Sequence, residues 1–228
     1  MVDALVVGTH PDDIEIGFGG SVARLVDLGY DVAMLDLTNG EPTPFGDPAT
    51  RAKEADMAAK ILKVKTRITL NLENRKLADT VEARRKVAEV YRKLKPKMVF
   101  IQGEQDSHPD HIEGSKIAWK ARFDAKLTKT DMAHDPWYPK KMFFYHSSHL
   151  RQIINPAFIL DITKTFDRKV EALCAYKSQF YATGREDEII EKLNARAAYF
   201  GDLIGVKRGE PVMTKGPLGL SDLRDIIL

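Results

Sequence analysis

The 228-residue chain contains a single cysteine, Cys174. One thiol excludes an internal disulfide framework and any all-cysteine zinc or iron–sulfur centre, and it suits a reducing cytoplasm. Cys174 itself sits in an apolar helical stretch and reads as core packing. Long apolar runs are also missing; none approaches the roughly 18–20 residues of a membrane span. The N-terminus carries an acid, Asp3, where a signal peptide wants a basic region. A cytoplasmic chain with no membrane partner is therefore expected. Charge of one sign is lacking too, since 35 Lys+Arg against 33 Asp+Glu leave a formal charge of +2. Nucleic-acid binding normally shows as a concentrated basic face. The basic bias at Lys116–Lys129 is interrupted by Asp124 and reads as a solvated helix face, so no nucleic-acid partner is expected. There is no Walker A sequence, and Gly17-Phe18-Gly19-Gly20 does not complete G-x-G-x-x-G because position 22 is Val. Gly19 and Gly20 read as close helix–sheet packing rather than a phosphate cradle.

What is present is the composition of an ordinary globular protein, 43% hydrophobic and 30% charged, with no linker or repeat. A single domain over 1–228 is the economical reading. Asp3–Thr9, Asp31–Thr38, Arg67–Leu72 and Met98–Gln102 are short apolar runs that predict strands. Between them lie helical stretches at Phe18–Leu28, Asp47–Leu62 and Thr80–Leu94. Gly29 ends the first as a C-cap, and Asp47-Pro48 opens the second as N-cap and first helical residue. Beyond these, Lys141–His146 and Phe158–Ile162 predict strands, and Thr163–Lys177 and Arg185–Leu203 predict helices. The alternation predicts an α/β fold, a Rossmann-like doubly wound and mostly parallel sheet with helices on both faces. In such sheets the ligand site lies beyond the carboxyl ends of the strands.

Two of those strand ends carry histidine–aspartate clusters. Thr9-His10-Pro11-Asp12-Asp13 follows the first strand, and Asp106-Ser107-His108-Pro109-Asp110-His111 follows the fourth. Each tetrapeptide, HPDD or HPDH, is by itself an ordinary turn sequence. Both together, at one rim of one sheet, predict a metal site. A catalytic divalent ion takes three His or Asp/Glu ligands and keeps a position open; His10, Asp13 and His111 supply such a set. Asp12 is then free to act as general base, and His108 faces the ion from outside its shell. Zinc (Zn2+) is the default occupant, and the same donors accept Fe(II), Co(II) or Mn(II).

With THPDDIEIGFGG at 9–20, DSHPDH at 106–111, TNGE at 38–41 and RAKEA at 51–55, the chain resembles the PIG-L/LmbE family of zinc-dependent N-acetylglucosamine deacetylases. INPAFILDIT at 154–163, KSQF at 177–180 and ARAAYFGDLIGVKRGEP at 195–211 extend the likeness to the bacillithiol-biosynthesis branch, whose enzyme acts on N-acetylglucosaminyl malate. The resemblance implies His10, Asp13 and His111 as metal ligands, Asp12 as general base and His108 as a second catalytic residue. It further implies that Asp110 supports the neighbouring histidine and that Arg51 contacts substrate. Asn74 stands near where many members carry an aspartate contacting sugar hydroxyls. Lys207-Arg208 and Pro211-Val212 depart from the branch's usual aromatic residues. A homo-oligomer, with a hexamer as one form, is also implied.

Deacetylation through this site would have Asp12 take the proton of the attacking water and a protonated His108 donate to the oxyanion, with Asp110 favouring the charged imidazole. Arg51 has an alternative structural reading as a partner of Asp47 or Glu54. His134, His146 and His149 read as surface or packing histidines, with His146 able to rim the site, and Gln179 and Tyr181 could line a pocket. Two other functions compete. One is amide hydrolysis of thiol S-conjugates by the same centre; the other is a non-catalytic, nucleotide-binding Rossmann-like module.

Overall fold

The alternating runs become a seven-stranded sheet in a computed structural model that describes residues 1–146, 149 and 153–219. The first half alternates strictly: β1 (Ala4–Gly8), α1 (Asp13–Asp27), β2 (Val32–Thr38), α2 (Pro48–Ile61), β3 (Thr66–Leu72), α3 (Val81–Leu94), β4 (Met98–Gln102) and α4 (Pro109–Asp124). Then follow β5 (Lys141–Tyr145), β6 (Phe158–Asp161), α5 (Phe166–Cys174), α6 (Glu186–Asp202) and β7 (Gly209–Met213). The strand order is β3-β2-β1-β4-β5-β7-β6, parallel throughout except for β7, which is antiparallel to both neighbours.

The central strand β1 pairs with β2 through Ala4↔Val32 and with β4 through Ala4↔Met98. All five of its residues are buried, as both-faces-covered parallel strands require. Leu5 and Val7 pack on one face with Val87 and Tyr91 of α3 and Ile117 of α4. Ala4 and Val6 pack on the other with Ile14 and Phe18 of α1, Ala58 of α2 and Tyr176. The period-two alternation of the strand thus divides the core into two layers, the expected doubly wound arrangement. Helix entry follows the local signals. Asp47 accepts hydrogen bonds from the backbone N–H groups of Ala49 and Thr50, and Thr80 caps α3 by accepting from Ala83.

The architecture departs from the sequence expectation in four places, one of them α4, a helix absent from the predicted elements and opened by Pro109 at its first position. Helix α1 begins at Asp13 rather than near Phe18, because the acids of the first turn suit the positive end of the helix dipole. Helix α5 is shorter than the 163–177 stretch expected. Strand β7 has no sequence signal, since Gly209, Glu210 and Pro211 are poor strand formers. It is held from outside: Lys169 pairs with Glu210, whose carboxylate also accepts from Gly20 N–H at 3.1 Å and Ser21 N–H at 2.6 Å.

The glycines of α1 serve packing. A Cβ on Gly17 would lie 2.7 Å from the Tyr145 ring and 2.8 Å from the His146 carbonyl oxygen. Gly17→Ala is therefore expected to destabilise the fold by about 1–3 kcal/mol through overpacking, read as a lower urea midpoint at unchanged m-value.

Candidate active site

Three neighbouring strand tips are tied together before any functional side chain is placed. The Gln102 side-chain oxygen accepts from Thr9 N–H at 3.0 Å and from its hydroxyl at 2.6 Å, and the Thr9 carbonyl accepts from Thr38 N–H at 3.0 Å. The HPDD segment leaves this clamp directly, and Pro109 at the start of α4 directs HPDH towards it from the neighbouring strand. Asp12 turns the chain into α1 with φ +113°, a left-handed conformation that a non-glycine residue adopts only under constraint.

His10 Nδ1, Asp13 Oδ2 and His111 Nε2 form a triangle with all three edges 3.2 Å long. Ligands about 2.0–2.1 Å from a tetrahedral ion stand about 3.3–3.4 Å apart, so this donor set fits a divalent metal. The residues behind it fit as well. Asp106 Oδ2 lies 2.8 Å from His111 Nδ1, and Asp110 Oδ2 lies 3.5 Å from His10 Nε2. Each imidazole thus presents one nitrogen to the centre and backs the other with a carboxylate, the arrangement that sets tautomer and orientation in metal sites. His10, His108 and Asp110 also cluster closely enough to ligate. That set would need the second nitrogen of His10, which faces Asp110 once the first triad is filled.

The electrostatics favour a cation in the same place. Burial opposes charge on His10, but Asp110 and Asp13 outweigh it and raise the imidazole to about 9. Burial likewise opposes charge on His111, and Asp13 with Asp106 raises it to about 10. Burial pushes Asp13 up, yet the two imidazoles hold it well below the usual carboxylate range. Three carboxylates around two imidazoles are a negative basket, and a divalent ion can take the place of the two protons.

Asp12 lies at the edge of this basket. Burial raises its carboxyl to about 7, against the pull of Arg51. Arg51 Nη2 donates to Asp12 Oδ2 at 2.8 Å, and Nε and Nη2 both donate to the Pro11 carbonyl. Neither Asp47 nor Glu54 is its partner; Asp47 caps α2, and Glu54 accepts from Ser178. Arg51 thus holds the HPDD turn in place while also facing the cavity.

His108 differs from the sequence expectation. Burial, followed by the neighbouring His111 and His10, lowers its pKa, which favours the neutral ring. Its Nδ1 accepts from Asp110 N–H at 3.2 Å, placing the ring proton on Nε2. The Asp110 carboxylate is turned away, accepting from Arg75 N–H at 2.5 Å and Leu77 N–H at 3.3 Å and facing His10. It still favours charge on His108, but burial and the two other imidazoles outweigh it.

A cavity of about 340 Å³ opens on this floor, lined there by His10, Asp12, Asp13 and His108. Asn74 lines it too, with a buried side-chain oxygen that has no partner among the described residues. His149, read from sequence as a surface or packing histidine, borders the cavity with its ring 5.0 Å from that of His111. Gln179 is not part of the lining; it donates to Thr43 and Ser178, and Phe180 beside it faces the cavity. Tyr181 points to solvent at 68% exposure. His146 lies behind the site against Gly17, and Lys207, Arg208, Pro211 and Val212 are outside the lining. Cys174 is half-buried, its thiol pushed up to about 11 by burial and by Glu186, which makes it a poor nucleophile.

Sequence reasoning missed Asp106, although a carboxylate five residues before a histidine ligand is a usable signal for an outer-shell partner. It also missed the wall contributed by α6, through Ile189, Lys192, Leu193 and Arg196; only Arg196 falls in a segment that the resemblance quotes, and no role came with it.

Comparison with known proteins matches residues 5–122 to the family described as PIG-L, GlcNAc-PI de-N-acetylase. The chain is 30% identical over 226 residues to a diacetylchitobiose deacetylase of Thermococcus kodakarensis, spanning 91% of this chain and 81% of that one. Among solved structures it is similar to the conserved protein TT1542 of Thermus thermophilus, with a TM-score of 0.89 and 36% identity over 96% of this chain and 97% of that one. An N,N'-diacetylchitobiose deacetylase of Pyrococcus horikoshii superposes with a TM-score of 0.82 at 27% identity, over 92% and 82% of the two chains.

Proposed function

The chain belongs to the PIG-L, GlcNAc-PI de-N-acetylase, family, and on that premise we propose that it is a zinc-dependent hydrolase removing the N-acetyl group from N-acetylglucosaminyl malate in bacillithiol biosynthesis. The observation that carries this reading is the 3.2 Å triangle of His10, Asp13 and the fully buried His111, with the Asp12 carboxylate next in the chain and His10, Asp12 and Asp13 lining a cavity with room for a small conjugate. The deacetylases among its relatives support the reaction type. Exposed Tyr199, Leu203 and Ile204 around the end of α6 support assembly as a homo-oligomer. The single cysteine supports a cytoplasmic location.

In this reading His10, Asp13 and His111 hold the ion, and Asp106 and Asp110 orient the two imidazoles. When bound, a zinc ion supplies a Lewis acid that polarises the acetamide carbonyl and makes water more acidic. Asp12, desolvated yet steadied by Arg51, takes the proton of the attacking water and returns it to the departing amine. His108 donates from Nε2–H to the oxyanion as a neutral imidazole. Asn74 offers its unpartnered oxygen to a sugar hydroxyl.

Primary-amine release from N-acetylglucosaminyl malate tests the proposal. The expected result is release that a chelator abolishes and added zinc restores. Chelator-insensitive release would refute the metal mechanism, and no release by metal-loaded protein would refute the substrate.

A further inference from the structure

One wall of the cavity is built by one stripe of α6 and the residue before it. Arg185, Ile189, Lys192, Leu193 and Arg196 recur at helical spacing, and all five line the cavity. Three of the five are cationic, and none of the acids of α6 is in the lining. Over the whole cavity the lining cations are Arg51, Arg75, Arg185, Lys192 and Arg196, whereas its acids are only Asp12 and Asp13. Asp13 belongs to the metal triad, and Asp12 is already paired with Arg51. The cations that these two acids leave unmatched are therefore Arg75 and the three of the α6 stripe.

Arg196 is the least compensated member. Glu188 pairs with Arg185 and with Lys192, but Arg196 makes no ion pair or hydrogen bond among the described residues. Glu210 acts on it electrostatically, yet that carboxylate is already held by Lys169, Gly20 N–H and Ser21 N–H. A guanidinium does not neutralise in proteins, so half-burying it without a counter-charge is costly. A bound anion removes that cost, and the planar fork of arginine matches a carboxylate or phosphate.

We propose that Arg196, assisted by Lys192 and Arg185, forms an anion subsite that holds a carboxylate or phosphate carried by the aglycone, making the enzyme selective for negatively charged N-acetylglucosaminides. This rests on the deacetylase reading above and adds the residues that choose the substrate. They are specificity residues and take no part in bond breaking.

The test compares N-acetylglucosaminyl malate, N-acetylglucosamine 1-phosphate and the neutral methyl N-acetylglucosaminide on zinc-loaded wild type, Arg196→Gln, Arg196→Lys and Lys192→Gln. In Arg196→Gln the KM for the preferred anionic substrate is expected to rise about tenfold or more. Its kcat should stay within about twofold, and the KM of the neutral substrate should barely move. Arg196→Lys should recover part of the preference, and Lys192→Gln should shift KM in the same direction by less. Whichever of the two anionic compounds loses more on removal of Arg196 identifies the anion. Equal losses on charged and neutral substrates, or no loss on either charged one, overturn the subsite. If wild type hydrolyses none of the three, the deacetylase reading fails separately. Calorimetric titration with the amine product glucosaminyl malate against methyl glucosaminide then decides the subsite. Tighter binding of the charged product that Arg196→Gln abolishes supports it, and equal Kd values overturn it.

Discussion

Replacing Asp12 by asparagine is expected to lower kcat about 100- to 10,000-fold, the range for removal of a positioned general base, while the protein keeps a full complement of divalent metal. The geometry separates the two properties. Asp12 is not a corner of the 3.2 Å triangle, and its carboxylate is committed instead to Arg51 at 2.8 Å. Asparagine preserves the shape and can still accept from Arg51, but it cannot take a proton from water. Elemental analysis alongside steady-state rates checks the prediction. Metal loss in Asp12→Asn would make Asp12 a ligand, and retained turnover would require another base.

His111→Ala should behave in the opposite way, losing bound metal and activity together. His111 is completely buried and supplies one triangle corner, so its removal leaves two donors and opens a polar void. Asp106→Asn is the graded companion. It keeps all three donors but weakens the carboxylate behind His111 Nδ1, and an outer-shell change of this kind typically lowers metal affinity about 10- to 100-fold. Competition with a metallochromic chelator should rank wild type above Asp106→Asn and Asp106→Asn above His111→Ala. Circular dichroism establishes that both variants remain folded. Wild-type affinity in both would remove the metal assignment.

The doubly wound core and the two clusters at strand tips were legible because they are local. Buried parallel strands read as continuous apolar runs such as Ala4–Gly8, and a cap such as Asp47 acts within three residues. β1 and β4 are neighbours, as a doubly wound sheet allows at the point where its strand order reverses, and this brings His10 and His111 to one rim. Orientation was not legible in the same way. Asp110 immediately follows Pro109 and lies two residues beyond His108, yet its carboxylate faces His10 because the backbone N–H groups of Arg75 and Leu77 hold it there. Those donors come from the loop that follows β3, over thirty residues away in the chain.

By itself, then, the sequence determined most of the elements and singled out the candidate donor residues, since hydrophobic periodicity and turn chemistry are properties of neighbours in the chain. Only the tertiary structure decided what surrounds the donors. Strand β7 exists because Lys169, Gly20 and Ser21 meet Glu210, and the cationic stripe of α6 reaches the cavity because helix packing carries it there. Both depend on burial and charge pairing between distant segments, which no local propensity encodes.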